Sequence, residues 1–512
     1  MRTAIRALGA GLVLVVASAP LAAQSKDATK AAATITAQDV SRRIHIVADD
    51  SMMGRDTPSP GLEMTAAHIA AQFKSFGLRP GGDSGTFVQR YPLVLRQLQA
   101  QRSFVEFSEL NGQGSIVLPF TTSVRQWAGE TKGTPMTAGM VLVGGPPDPA
   151  MLPADSLLKG KFLVWVADWA TAPKFANAMI IKAMTAGAAG IIVISNRDTT
   201  EVAKEAAQAT RVRVSRGGEE QAAGGVPLVV EVPQAAVVAQ FPAAQGTFDQ
   251  LRNAAEMMAV PMAEWEATVL AADTVLGTTT APNVVGILEG TDPVLKHEYL
   301  VFSAHMDHIG ISPDKPDSIN NGADDDGSGT VGVLELAEAF SRRKAATKRS
   351  LIFLTVSGEE KGLWGSAYFA AHPPVPLAQV VADLNMDMIG RNWTDTIAVI
   401  GREYSSLGPT FDSVAAAHPA LDMTPIGDPW PEERIFFRSD HYNFARAGVP
   451  ILFFTSGLHP DYHEPSDTPD KIGFEKESRL LQLIFWLGQD VGNSPGKPTW
   501  NPGALDQVKQ AQ

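Results

Sequence analysis

Cysteine is missing from all 512 residues. That excludes disulfides, cysteine-ligated structural zinc and a cysteine nucleophile, so any zinc must be held by histidines and carboxylates. Positive charge is scarce: 42 Lys+Arg stand against 55 Asp+Glu, for a formal net charge of −13. Such an acidic surface argues against nucleic acid or an anionic membrane as the main partner. Long apolar runs are lacking beyond the first two dozen residues, so no membrane span is expected in the mature chain. H-E-x-x-H and P-loop patterns are missing too, which removes gluzincins and P-loop NTPases.

The N-terminus differs in texture from everything after it. Arg2 and Arg6 precede an almost uncharged apolar stretch from Ala7 to Ala23, ending in Leu21-Ala22-Ala23. This is the pattern of a secretory signal peptide, cleaved after Ala23. Residues 1–23 are therefore expected to direct export to the periplasm or the extracellular space. Losing Arg2 and Arg6 takes the formal charge from −13 to −15. Residues 24–34 read as a loose leader.

Within 35–134, Ala66, Ile69, Ala70 and Phe73 recur at helical spacing and predict a helix over 61–76, stopped by Gly77. The texture changes over 135–265, where Met140–Val143, Lys161–Val166 and Ile191–Ile194 read as buried strands. That segment holds no cluster of catalytic residue types and is expected to be an inserted domain. From 266 to 493, strands and helices alternate as in an open α/β sheet. Strands are predicted at 283–288, 298–303, 350–356, 380–386, 396–400 and 450–455, and helices at 328–344 and 474–492. The tail, 494–512, is rich in Pro, Gly and Lys and is expected to be loose.

What is abundant is acid in one place. Gly322-Ala323-Asp324-Asp325-Asp326-Gly327-Ser328-Gly329 sets three acids side by side, and their repulsion in a folded core needs a metal or strong donors to offset it. In open α/β sheets, ligands gather at the carboxyl ends of the strands. Here successive strands deliver His305 and Asp307, then Glu359 and Glu360, then Asp387, and through a final loop Tyr462 and His463. All fall on one edge of the sheet, where a single site can form. Two imidazoles with carboxylates suit zinc, whereas magnesium and calcium prefer oxygen alone. A carboxylate shared between two ions is the usual basis of a hydrolytic pair. Gly327-Ser328-Gly329-Thr330-Val331-Gly332 has the form of a dinucleotide fingerprint, but the acids before it would repel a pyrophosphate.

Six stretches carry a resemblance: Ser303-Ala304-His305-Met306-Asp307, Gly322 to Gly329, Gly358-Glu359-Glu360, Asn385-Met386-Asp387-Met388-Ile389-Gly390, Ser439-Asp440-His441 and Tyr462-His463. In this order the chain resembles metallopeptidase family twenty-eight, the dizinc aminopeptidases related to glutamate carboxypeptidase and the transferrin receptor. Ala48-Asp49-Asp50 with Gly54-Arg55 is similar to the opening of members with a protease-associated insert, and 135–265 resembles that insert. The resemblance implies a three-layer α/β/α mixed-sheet peptidase domain interrupted by a mainly β protease-associated domain. It implies two Zn2+ per chain, one bound by His305 and Asp387, the other by Glu360 and His463, with Asp325 bridging them. It also implies a cis Asp325–Asp326 peptide, Asp307 orienting His305, Glu359 as general base and Tyr462 as a donor to the oxyanion. His441 matches a recurrent position to which no role is assigned.

The expectation is thus an exported dizinc aminopeptidase or dipeptidase that hydrolyses N-terminal peptide bonds with a metal-activated water. A carboxypeptidase or another amidohydrolase on the same scaffold stays open, because substrate loops decide this and the motifs do not. Trp430, Arg434, Phe436 and Phe437 either line a side-chain pocket or simply pack. A non-catalytic binding protein on this fold would have lost ligands or the general base, and here all are retained.

Overall fold

Strands buried on both faces read as unbroken apolar runs, and such strands form the middle of the sheet that carries the site. The computed structural model describes residues 26–510 apart from 113, 130–132, 147–152, 218–226, 314 and 343–346. The expected signal peptide, 1–23, lies outside the described residues. The chain divides into two units, one formed by residues up to Arg90 with Pro282–Gln512, the other by Tyr91–Ala281.

In the first unit the strands run in the order Thr424–Ile426, Thr396–Ile400, Ile451–Thr455, Val380–Met386, Tyr299–His305, Ser350–Val356 and the end of Asp273–Leu288. The four from Ile451–Thr455 to Ser350–Val356 are mutually parallel, so their carboxyl ends share one edge. The chain leaves Tyr299–His305 to one side and returns on the other, placing a topological switch point at His305. Alternate side chains fill the two faces. Phe302 and Phe353 stack on one face with Phe340 and Phe485 of the helices Gly329–Arg342 and Phe474–Asn493. Val301, Ile352 and Phe453 pack on the other with Phe369 and Phe444. Truncating one such phenylalanine costs roughly 3–5 kcal/mol. Pro60–Ser75 is helical as its spacing predicts, with Ser59 Oγ accepting from Leu62 N at 3.1 Å to cap it.

Two segments expected to be loose are ordered. Lys26–Ala32 is a helix with Ala28, Ala31 and Ala32 buried, and its small side chains let it lie close against Gly329–Arg342 and Phe474–Asn493. In the tail, Trp500 Nε1 donates to the Gly448 carbonyl at 2.8 Å, and Ala504–Gln510 is a helix anchored by Ala504 and Val508.

The second unit is an eight-stranded sheet in the order Ser115–Pro119, Phe104–Glu109, Met258–Leu270, Met136–Gly144, Phe162–Ala167, Gly190–Ser195, Val229–Pro233 and Arg125–Ala128. It extends beyond 135–265 at both ends, because Phe104–Glu109 pairs with Trp265–Leu270 across some 160 residues of chain. Helices Ala172–Thr185 and Thr199–Ala209 connect its parallel strands.

Candidate metal centre

His305 ends its strand with Nδ1 3.2 Å from the carbonyl of Asp307. A carbonyl only accepts, so Nδ1 keeps its proton and Nε2 alone is available to a metal. Nε2 faces Asp325 Oδ1 at 3.4 Å and Asp387 Oδ1 at 3.5 Å. Burial would depress this imidazole, but the carboxylates of Asp387 and Glu359 outweigh it and hold His305 well above its usual range.

A second group shares the same aspartate. His463 Nε2 lies 3.2 Å from Asp325 Oδ2 and 3.0 Å from Glu360 Oε2. These two acids raise His463 to about 10 against the opposing effect of burial. Asp325 therefore turns one oxygen to each group, and neither Asp325 Oδ2 nor His463 Nε2 has a hydrogen-bond partner. Donors around tetrahedral zinc, bonded at about 2.0–2.1 Å, sit roughly 3.3 Å apart. The observed separations of 3.0–3.5 Å fit that figure in both groups. The residues fit a metal pair.

The other two acids of the run face away from this donor set and are compensated by backbone. Asp326 accepts from His305 N, Gly329 N and Met388 N at 3.1, 2.8 and 3.3 Å. Asp324 accepts from Gly390 N at 2.7 Å. Together they tie two strand ends and the start of the helix Gly329–Arg342 around the middle acid. Gly329 is needed here, since a Cβ would meet Met386 O at 2.2 Å. The Asp325–Asp326 peptide is cis. Beneath the run lies Arg55, fully buried, donating to the carbonyls of Met306, Val47, Asn321 and Gly322. Its guanidinium pairs with no carboxylate directly, so the carboxylates above it keep their lone pairs.

The Asp307 carboxylate, expected to orient His305, stands 3.7 Å from its Nδ1. It also accepts from Gly358 N, Glu359 N and Thr57 Oγ1 at 2.8, 3.3 and 2.9 Å. The Asp307 carbonyl meets the same ring nitrogen, and the carboxylate fixes the turn bearing Glu359 and Glu360.

Glu359 lines the cleft with His305, Asp325, Asp387 and Tyr462. Burial pushes its carboxyl well above the usual range; His305 pulls it down, while Asp440, Glu360 and Asp387 add to the rise. Tyr462, stacked on His463 at 3.8 Å, is raised by burial and by Asp325, Glu360 and Glu359, so its hydroxyl stays a donor. His463 itself has φ +58, a region few non-glycine residues occupy.

Of the loop before Ser439, Phe436 packs against Tyr404 and His441, and Trp430 stacks on Trp393. Ile435 and Arg438 are the residues that reach the cleft, beside Met388, Phe453 and Leu458. His441 is structural: fully buried, it donates from Nε2 to the Phe436 carbonyl at 2.8 Å, and burial lowers it to about 3. One residue at the site escaped sequence reasoning. His308 Nδ1 lies 2.9 Å from Glu360 Oε1 and 3.6 Å from Asp325 Oδ2. The signal available was its place three residues after His305, at the same strand end.

Residues 283–485 match the model of Peptidase family M28. Among curated proteins, Aminopeptidase YwaD of Bacillus subtilis (strain 168) is 27% identical over 233 residues, 43% of this chain and 46% of that protein. A Probable leucine aminopeptidase of Arthroderma otae is 30% identical over 218 residues, covering 41% and 57%. The chain thus spans about half the length of the curated relatives it matches. Among solved structures, an aminopeptidase from Aneurinibacillus sp. strain AM-1 has a TM-score of 0.52 at 20% identity, over 93% of this chain and 98% of that one. BSAP, a zinc aminopeptidase from Bacillus subtilis, has a TM-score of 0.50 at 18% identity, over 90% and 97%. At these identities the structural likeness establishes the fold.

Proposed function

We propose that this chain, whose residues 283–485 match the model of Peptidase family M28, belongs to that family and is a dizinc aminopeptidase. The observation that carries the reading is the division of Asp325, one oxygen toward His305 and Asp387, the other toward His463 and Glu360. His305, Asp325 and Asp387 would hold one Zn2+, and Glu360, His463 and Asp325 the second. When bound, such a pair supplies Lewis acidity that brings a water toward ionisation near neutral pH and polarises a carbonyl.

The chain's own residues do the rest. Glu359 stands in the cleft beside both donor groups, positioned to take a proton from the attacking water and pass it to the leaving amine. The Asp307 carboxylate keeps that turn in place through Gly358 N and Glu359 N. Tyr462 keeps its phenolic proton and donates to the oxygen on which negative charge develops. Met388, Ile435, Phe453 and Leu458 offer an apolar wall to the substrate side chain.

The cleft offers a free carboxylate only a weak anchor. Arg438, the guanidinium in its lining, is 40% exposed and already 3.4 Å from Glu433. The names of the relatives point the same way. We read residues 1–23 as an export signal and Tyr91–Ala281 as a protease-associated domain. The test is a panel of aminoacyl and N-blocked peptides with and without chelator. Hydrolysis confined to free N-termini, and lost on chelation, is expected. Cleavage of blocked peptides at a free C-terminus would favour the carboxypeptidase reading through Arg438.

A further inference from the structure

His308 is fully buried beside Glu360 and is used by nothing in the reaction described above. Its ring is held in one pose. His308 N donates to the Arg55 carbonyl at 3.3 Å, and the ring lies on Gly322, where a Cβ would come within 2.6 Å of His308 Cγ. The edge of the ring meets His463 at 5.7 Å between centroids. Within this pose Nδ1 is 2.9 Å from Glu360 Oε1, in hydrogen-bonding alignment. Glu360 Oε2 is the oxygen that faces His463, at 3.0 Å. The two oxygens of one carboxylate are thus divided between two imidazoles.

We propose that His308 is a positioning residue for the second metal site, its Nδ1–H gripping Glu360 Oε1 so that Oε2 is presented to the metal. The inference rests on the dizinc reading and deepens it. A rival role, in which His308 is itself a ligand, uses the same atoms but fits them less well. A carboxylate accepts, so the 2.9 Å contact places the ring proton on Nδ1, and a protonated nitrogen cannot bind a metal. The distance from Nδ1 to Asp325 Oδ2, 3.6 Å, is also longer than the 3.0–3.5 Å separations of the two donor groups. A ligand imidazole ordinarily donates its other N–H to an acceptor, as His305 does, but His308 Nε2 has no partner. Hydrogen bonds to ligand carboxylates are in turn the usual means of fixing them, and losing one costs about 10–100-fold in metal affinity.

Three proteins separate the roles: the full-length parent, His308→Ala and His308→Asn. The Asn amide nitrogen can stand where Nδ1 stood and donate to Glu360, but it is a poor zinc ligand. Zinc content and affinity are measured by titration against a chromophoric chelator, and the number of imidazoles per zinc by X-ray absorption. Expected is a parent with two zincs, His308→Ala weakened about 10–100-fold at one site only, and His308→Asn restored toward the parent. The imidazole count should not change in either variant. Should Asn prove as weak as Ala while the count falls, His308 is a ligand and the proposal is overturned. Unaltered affinity in both variants overturns it as well. A parent that binds no zinc would instead bring down the metal-centre reading, and this proposal with it. If His308→Ala does not fold, the Asn variant and its imidazole count still decide between donor and ligand.

Discussion

Glu231 and Asp325 are both carboxylates hidden from water, one in each unit of the chain, and they are neutralised in different ways. Glu231 accepts from Ser195 Oγ at 2.7 Å and lies 3.2 Å from Arg125 Nε and 3.4 Å from Arg197 Nη1. Its charge is met by permanent cations. Asp325 has only imidazoles within reach, and the one nearby guanidinium, Arg55, is turned to backbone carbonyls. Four acids, Asp325, Glu359, Glu360 and Asp387, gather there without a lysine or arginine paired to any of them among the described residues. A buried acid with an arginine is a finished structural element; buried acids with titratable partners leave room for an exogenous cation.

The comparison breaks most visibly at Asp325. Asp325→Asn should replace one of the two shared oxygens with an amide nitrogen that cannot bind a metal, and lower kcat/KM by on the order of a thousandfold or more, because metal charge stabilisation is worth several kcal/mol. Zinc content measured on the same sample should fall with it. Glu359→Gln should leave zinc content unchanged and reduce kcat by about 10²–10⁴-fold; near-normal turnover would remove Glu359 from its role. Glu231→Gln should do the reverse. It strands Arg125 and Arg197 beside a neutral group and should cost about 2–3 kcal/mol in denaturant unfolding, less than the full penalty of a broken buried pair because Glu205 still serves Arg197. Zinc content and kcat should not move.

The smallest effect concerns His441, the buried histidine with no part in the chemistry. Its folded value, about 3, lies below the ordinary 6.5. Between those values the unfolded chain binds a proton that the folded chain refuses, so stability falls as pH drops from 6.5 toward 3. From pH 7 to 4.5 this one group contributes a loss of roughly 2–3 kcal/mol. His441→Gln should flatten the difference in denaturation midpoints between those two pH values by that amount, and an unchanged slope would show that another group is responsible.

The central strands of the first unit were legible in the sequence because each is a continuous apolar run, such as Leu351 to Val356, followed at once by polar residues; the short edge strand Thr424–Ile426 was not. That abrupt change also marked the candidate site. His308 was not legible, since nothing in His305-Met306-Asp307-His308 says which ring will turn toward Glu360; Gly322, some fourteen residues on, decides it. The helix Lys26–Ala32 was hidden for a related reason. Its alanines look unremarkable until the helices against which they pack are in place. The first strands of the second unit, Phe104–Glu109 and Ser115–Pro119, alternate buried with partly exposed residues, and their pairing partner Met258–Leu270 comes far later in the chain. Local texture therefore placed the inserted segment within narrower limits than the pairing does.

The most direct test of the account is elemental analysis of active protein after gel filtration in metal-free buffer, with activity followed through chelation and reconstitution. Two zincs per chain, activity lost with the metal and regained on its return, is the predicted result. Full activity from a chain essentially free of metal would contradict it.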